Sequence, residues 1–177
     1  VAREAWMMLA SSRLSKGNIP DAKDAFEQAA LKSRTNDEKY ETSVESAWLH
    51  FFAGDSEAMS REIDAAMQVN AAGDEANDLL RLKVLDISGM NGAGDPGVGK
   101  LAEGLFALYR NDTETALATL AEAASDTSSA ASYDAAVALA RYYAGIGHTA
   151  SAPNWYISAS ESASDYSLSA GAKVAAA

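Results

Sequence analysis

The string GDPGVGKL at positions 94–101 carries the GxxxxGK spacing of a phosphate-binding loop, with Gly94, Gly99 and Lys100 at its defining places. Such a loop wraps backbone N–H groups round the phosphates, sets the lysine on the outer ones and uses a hydroxyl at the next residue to hold Mg²⁺. Here the next residue is Leu101, which has no hydroxyl. The loop also needs a parallel sheet to aim it, and only residues 83–87 have any strand character. The sequence therefore predicts a glycine-rich surface linker over 89–99. Nucleotide binding through Gly94, Gly99 and Lys100 stands only as a third alternative to the two readings developed below.

Other chemistry-bearing residues are sparse. His50 and His148 are the two histidines, and neither has a carboxylate four positions on to complete a helical metal pair. His50 is expected to pack or cap within its hairpin, and His148 to lie solvated in a turn. Serines are abundant without a GxSxG elbow, so no Ser-His-Asp triad is expected. Asn111, Asp112 and Glu114 lack the alternating oxygens and the glycine of a calcium loop, and Asp112 or Thr113 is expected to cap a helix instead. Carboxylates such as Asp21, Asp24, Glu27, Glu57, Glu62 and Asp64 read as solvated helix surface. The chain has no cysteine, which excludes disulfides and thiolate chemistry. The expectation is a protein without catalytic activity, cofactor or metal.

Charge narrows the partners. A net charge of -11 opposes binding to nucleic acid, whose affinity comes from Lys and Arg displacing counterions, and it opposes an anionic membrane surface for the same reason. No apolar run approaches the roughly 20 residues of a spanning helix, so a soluble chain is expected. With 177 residues, 48% of them hydrophobic, there is material for a real core. The absence of cysteine and a first residue Val1 instead of Met lean towards the bacterial periplasm or cell envelope, with the cytoplasm as the alternative.

The elements that position these residues read as helices. The first helix is predicted over about 2–16, ended by Gly17 with Asn18, and the second starts near Pro20 and runs to about 33. So short a turn forces antiparallel neighbours, an αα-hairpin. The pattern returns as Ala47, Gly54, Asp55, Ile63, Ala66 and Met67, and then as Gly104, Asn111, Asp112, Ala116, Leu120 and Ala123. Its last copy is Leu139, Ala140, Tyr143, Gly147, Ala152, Tyr156 and Ala159. The turn residues Gly17, Gly54, Asn111 and Gly147 are 37, 57 and 36 positions apart. The long middle interval is assigned to an extra helix at about 74–88, with Leu79, Leu80, Leu82, Val84, Leu85 and Ile87 as its apolar residues. Residues 165–177 read as the start of another helix.

The first copy, Trp6, Leu9, Ala10, Gly17, Ala22, Phe26 and Ala29, resembles the tetratricopeptide repeat family, whose period is about 34 residues. The resemblance covers roughly residues 2–163, as repeats at about 2–34, 38–71, 97–128 and 131–163 of a single domain 1–177. Two departures stand out. Ser43 replaces the tryptophan in the second copy, and the proline that usually closes each second helix is missing, with Arg34, Ala71 and Ser128 near its place in the first three. Longer turns between repeats are the expected result.

The resemblance implies an all-α, right-handed α-α superhelix of nine or ten antiparallel helices that serves as a protein-interaction scaffold. In this family the first helix of each pair lines the concave face, where the matching residues are Met7, Ser11, Leu14, Val44, Trp48, Phe51, Leu101, Leu105, Leu108, Val137 and Arg141. Members that grip acidic chaperone tails use Lys and Asn at such places. Met7, Ser11, Val44, Trp48, Leu101 and Leu105 stand there instead, so no carboxylate clamp is expected. The predicted groove is Met7, Leu14, Val44, Trp48, Phe51, Leu105, Tyr109 and Arg141, holding an apolar helix or peptide. Packing of the same aromatics into the core is the competing expectation. The second reading is a structural accessory subunit, permanently buried in a larger envelope or membrane-associated assembly.

Overall fold

A computed structural model of the chain describes residues 2–86, 94–148 and 150–162. Among the described residues every regular element is a helix, so the fold class is all-α, as expected. The helices are α1 (Arg3–Ser15), α2 (Ile19–Ala30), α3 (Asn36–Ala53), α4 (Ser56–Val69), α5 (Ala76–Leu85), α6 (Pro96–Tyr109), α7 (Thr113–Ser125), α8 (Ser132–Gly145) and α9 (Ala152–Ser162). No helix among them is long and apolar enough to cross a membrane. Residues 83–85, read as the one stretch with strand character, belong to α5. The predicted helix start at 165–177, the end of the fourth repeat at 163, and residues 87–93 of the extra helix and linker lie outside the described residues.

Four αα-hairpins follow from four turns that share one backbone hydrogen-bond pattern. Gly17, Gly54, Asn111 and Gly147 are the described residues with positive φ, between 59° and 78°. Glycine takes that conformation without a Cβ penalty, and Asn tolerates it better than other residues. In each turn the positive-φ residue donates its N–H three residues back, and the next residue donates five back, as Asn18 does to Arg13, Asp55 to His50, Asp112 to Ala107 and His148 to Tyr143. This double bond satisfies the carbonyls left over at a helix end. Three of the four following residues then open the next helix with their side chains: Asn18 accepts from the Asp21 N–H, Asp55 from Ala58 and Asp112 from Thr115. One dipeptide thus ends one helix and starts the next, and Asp112 is the cap that its sequence context predicts.

Small residues set how closely the paired helices approach. Ala10, Ala47, Gly104 and Ala140 each stand seven positions before their turn residue, and Ala29, Ala66, Ala123 and Ala159 each stand twelve after it. All eight are buried. At Gly104 an added Cβ would lie 2.6 Å from Leu120 Cγ, so α6 approaches α7 more closely than any side chain permits.

The helices fall into two compact units, one within Val1–Asn91 and one within Gly92–Ala177. In the first, α1 pairs with α2 and α3 with α4, while α2 packs on α3 and α5 on α4. Leu14, Phe26, Leu49, Phe51, Met59 and Ile63 fill its core, and Leu79, Leu82 and Leu85 seat α5. Ser56 hydrogen-bonds Asp86 just past the end of α5, and Lys83 pairs with Asp64 of α4. Arg3 is buried and ties α1 to α3, with Nε donating to Thr42 Oγ1 at 3.2 Å and Nη2 to Glu41 Oε2 at 2.6 Å. In the second unit α6 pairs with α7 and α8 with α9, and α7 packs on α8. Its core is Val98, Leu101, Leu120 and Leu139 set among alanines.

In the first repeat, of the large residues that carry the resemblance, Phe26 is buried and Trp6 half-buried, whereas Leu9 is exposed. Connections between hairpins, 31–35 and 126–131, are longer than the turns within the first three hairpins, as the missing prolines suggest, whereas in the fourth α8 and α9 are separated by residues 146–151.

Candidate functional site

From Pro96 on the GxxxxGK segment is helical, which corrects the end of the expected linker over 89–99, whose residues 89–93 lie outside the described residues. Helix α6 begins at Pro96, so Gly99 and Lys100 lie inside it. Proline at the first helical position needs no N–H partner, and Asp95 before it supplies the cap, its Oδ1 accepting from the Gly97 N–H at 2.9 Å. The other carboxylate oxygen accepts from Ser129 Oγ at 2.9 Å and from the Ala130 N–H at 2.7 Å. The helix N-terminus, where a phosphate would sit, is therefore occupied by the chain's own carboxylate. Lys100 Nζ pairs with Glu122 at 2.8 Å, and each member holds the other in its charged form. Val98 is fully buried. This arrangement differs from a phosphate-binding loop, in which free backbone N–H groups and an unpaired lysine face the phosphates.

The predicted groove residues separate by exposure. Leu14, Val44 and Phe51 are buried, which takes them out of a partner surface and into the core. The reason lies in helix geometry: Val44, Ala47 and Phe51 share the buried stripe of α3, because residues three, four and seven apart lie on one face. Met7, Trp48 and Leu105 are half-buried, Tyr109 is 37% exposed and Arg141 is exposed. Met7, Trp48 and their buried neighbours belong to the first unit, and Leu105, Tyr109 and Arg141 to the second. Among the remaining concave-face candidates, Leu101 is buried and Ser11, Leu108 and Val137 are half-buried.

On α3 a group of rings remains partly accessible. Trp48 lies 6.0 Å from Phe51, edge-on at 86°, and 6.0 Å from Phe52, while Phe51 and Phe52 are 6.1 Å apart. Phe51 is fully buried beneath, and Trp48 and Phe52 are half-buried at the edge. A buried ring supporting two partly exposed ones fixes their orientation at little entropic cost on binding. Sequence reasoning missed Phe52. Its signal was present, since it stands four residues beyond Trp48. Glu41 and Glu45 continue the same stripe towards the helix N-terminus. The carboxyl of Glu45 is pushed up, first by burial and then by the charges of Glu41 and Glu75.

A second feature is a partly open cleft of about 160 Å³ between α2, α3 and α4. Phe26, Leu49 and Ala58 form its apolar wall, and His50, Lys23 and Glu62 its polar one. His50 is buried in the last turn of α3 with Nδ1 3.5 Å from Asp55 Oδ2, so it packs within its hairpin as predicted. Burial pushes its pKa down, against the pull of the Asp55 carboxylate. Burial also pushes Glu62 up, opposed by a hydrogen bond from Ser43. Glu62 is thus no plain surface carboxylate, although its neighbours Glu57 and Asp64 are exposed. His148 is exposed in its turn, 5.6 Å from the Tyr143 ring. Among the described residues no group of three or more acidic or histidine side chains is placed to hold a metal ion. In comparison with known proteins, the chain matches no family model, no curated protein and no solved structure.

Proposed function

We propose that the chain is a non-catalytic interaction scaffold of tetratricopeptide type, which holds an apolar helix or peptide of a partner protein on the half-buried stripe of α3 that carries Trp48 and Phe52. The observation that carries this reading is the Trp48–Phe52 pair, held half-exposed on a fully buried ring. Aromatic anchors set in rigid surroundings supply most of the binding energy in protein interfaces. Four hairpins with one turn design and one pattern of small residues support the repeat character on which the resemblance rests. Met7, Leu105, Tyr109 and Arg141 remain accessible as secondary contacts on their own units.

Quantitative co-purification tests this. Trp48→Ala with Phe52→Ala should remove a partner that the unaltered chain retains, with helicity by circular dichroism unchanged. Retention of that partner by the double variant would end the proposal.

A second reading, a structural subunit permanently covered by neighbours, is favoured by the exposed apolar side chains Met8 (74%), Leu31 (75%) and Ile146 (58%) on α1, after α2 and after α8. The two readings part on the isolated chain. A scaffold is monodisperse and unfolds cooperatively, whereas an obligate subunit aggregates or is partly unfolded.

A further inference from the structure

The stripe of α3 that carries Trp48 and Phe52 is chemically divided. Glu41, Glu45, Trp48 and Phe52 follow at spacings of four, three and four, so they lie along one line of the helix, acidic at its N-terminal half and aromatic at its C-terminal half. We infer that the partner segment seated on Trp48 and Phe52 is basic as well as amphipathic, with Lys or Arg side chains directed to Glu45 and its acidic neighbours Glu41 and Glu75. This rests on the scaffold reading above and names the chemistry of the partner.

Three observations favour a cationic partner over a neutral or acidic one. Glu45 is half-buried, and the charges that act on it are those of Glu41 and Glu75, both of the same sign. Glu41 already has Arg3 at 2.6 Å, but no Lys or Arg pairs with Glu45 among the described residues. Trp48 stands one helical turn from Glu45, and an indole face is the best aromatic seat for a cation. A neutral apolar segment laid over this stripe would strip more water from Glu45 and give nothing in return. An acidic segment would add a fourth like charge. A basic one relieves the repulsion and buries its aliphatic stems against the rings. The chain's net charge of -11 steers the same class of partner to the surface.

The test uses the full chain and three 18-residue helical peptide probes, with leucine on one face and lysine, glutamine or glutamate on the other, titrated by calorimetry. The lysine probe should bind about tenfold more tightly than the glutamine probe, with an affinity that falls as salt is raised, and the glutamate probe should not bind. Glu45→Gln with Glu75→Gln should remove about that tenfold preference, while Glu57→Gln with Glu114→Gln, exposed carboxylates elsewhere, should leave it intact. Equal binding of the lysine and glutamine probes, or an equal loss from the two double variants, overturns the proposal. Trp48→Ala separates the two levels. If it weakens both probes while the Glu45 and Glu75 changes are silent, the aromatic seat stands and the basic partner falls; if it is silent on every probe, the scaffold reading falls too.

Discussion

The two halves of the molecule use one turn and one hairpin, yet they fill the space between helices differently. In the first, α1 to α5, the small residues of the contact are complemented by large ones, among them Phe26, Phe51, Met59 and Ile63. In the second, α6 to α9, alanine dominates, and the closest approach is set by Gly104 against Leu120. A core of large interlocking side chains gains most from apolar burial and fixes the position of what it supports. A core of alanines gains less per residue and depends on helix propensity and close backbone approach. The lesson is that the repeated turn specifies the hairpin, whereas side-chain size decides which half presents a rigid aromatic surface. Among the described residues, only the first unit sets a buried phenylalanine, Phe51, against a tryptophan.

The strongest way to break this contrast is Phe51→Ala, which should cost about 3–5 kcal/mol in chemical denaturation and loosen the Trp48 ring above it. Gly104→Ala probes the other unit. The gain in helix propensity is outweighed by overpacking against Leu120, for a net loss of about 1–2 kcal/mol by the same measurement. Ala47→Gly at the matching place in the first unit should cost about 1–2 kcal/mol, through lost helix propensity and the loss of a buried methyl group. In the turns, His148→Asp places a side-chain oxygen where Asn18, Asp55 and Asp112 supply one in the other three. It should stabilise the second unit by about 0.5–1 kcal/mol in thermal unfolding.

The smallest expected effect is in pH dependence. The His50 pKa lies below its unfolded value of about 6.5. The unfolded chain therefore binds the proton first as pH falls, and the first unit loses stability on acidification through that region. Glu45 and Glu62 act in the opposite sense. Their folded pKa values are raised, so what they contribute is present below the ordinary glutamate value of about 4.3 and is lost as pH rises through the raised ones. His50→Gln should flatten the acid side of the stability profile, by less than about 1 kcal/mol, without moving the carboxylate part. Denaturation midpoints between pH 4 and 8 read both contributions.

Much of the fold is legible in the residues. A positive φ admits few side chains, so Gly17, Gly54, Asn111 and Gly147 mark the turns, and alanines at fixed distances from them mark the contacts. The start of α6 was hidden because three glycines between 94 and 99 argue for a loop. The Asp95–Pro96 cap and the burial of Val98 outweigh them. The candidate site was legible to within one helical stripe. Spacing places Val44, Trp48, Phe51 and Phe52 within two turns of α3, but which of two adjacent stripes is covered depends on how α3 meets its neighbours, and that is a tertiary property. The buried contacts of Arg3 with Glu41 and Thr42 gave no sequence signal, because they join residues more than 35 positions apart.

The central claim, that the Trp48–Phe52 stripe of α3 is the surface that holds a partner, is tested most directly by comparing what co-purifies with three forms of the full chain. The unaltered chain and the Tyr109→Ala, Arg141→Ala variant should retain the same partner at equal yield, and Trp48→Ala with Phe52→Ala should lose it while keeping its helicity. Loss in the Tyr109 and Arg141 variant with retention in the Trp48 and Phe52 variant would contradict the account.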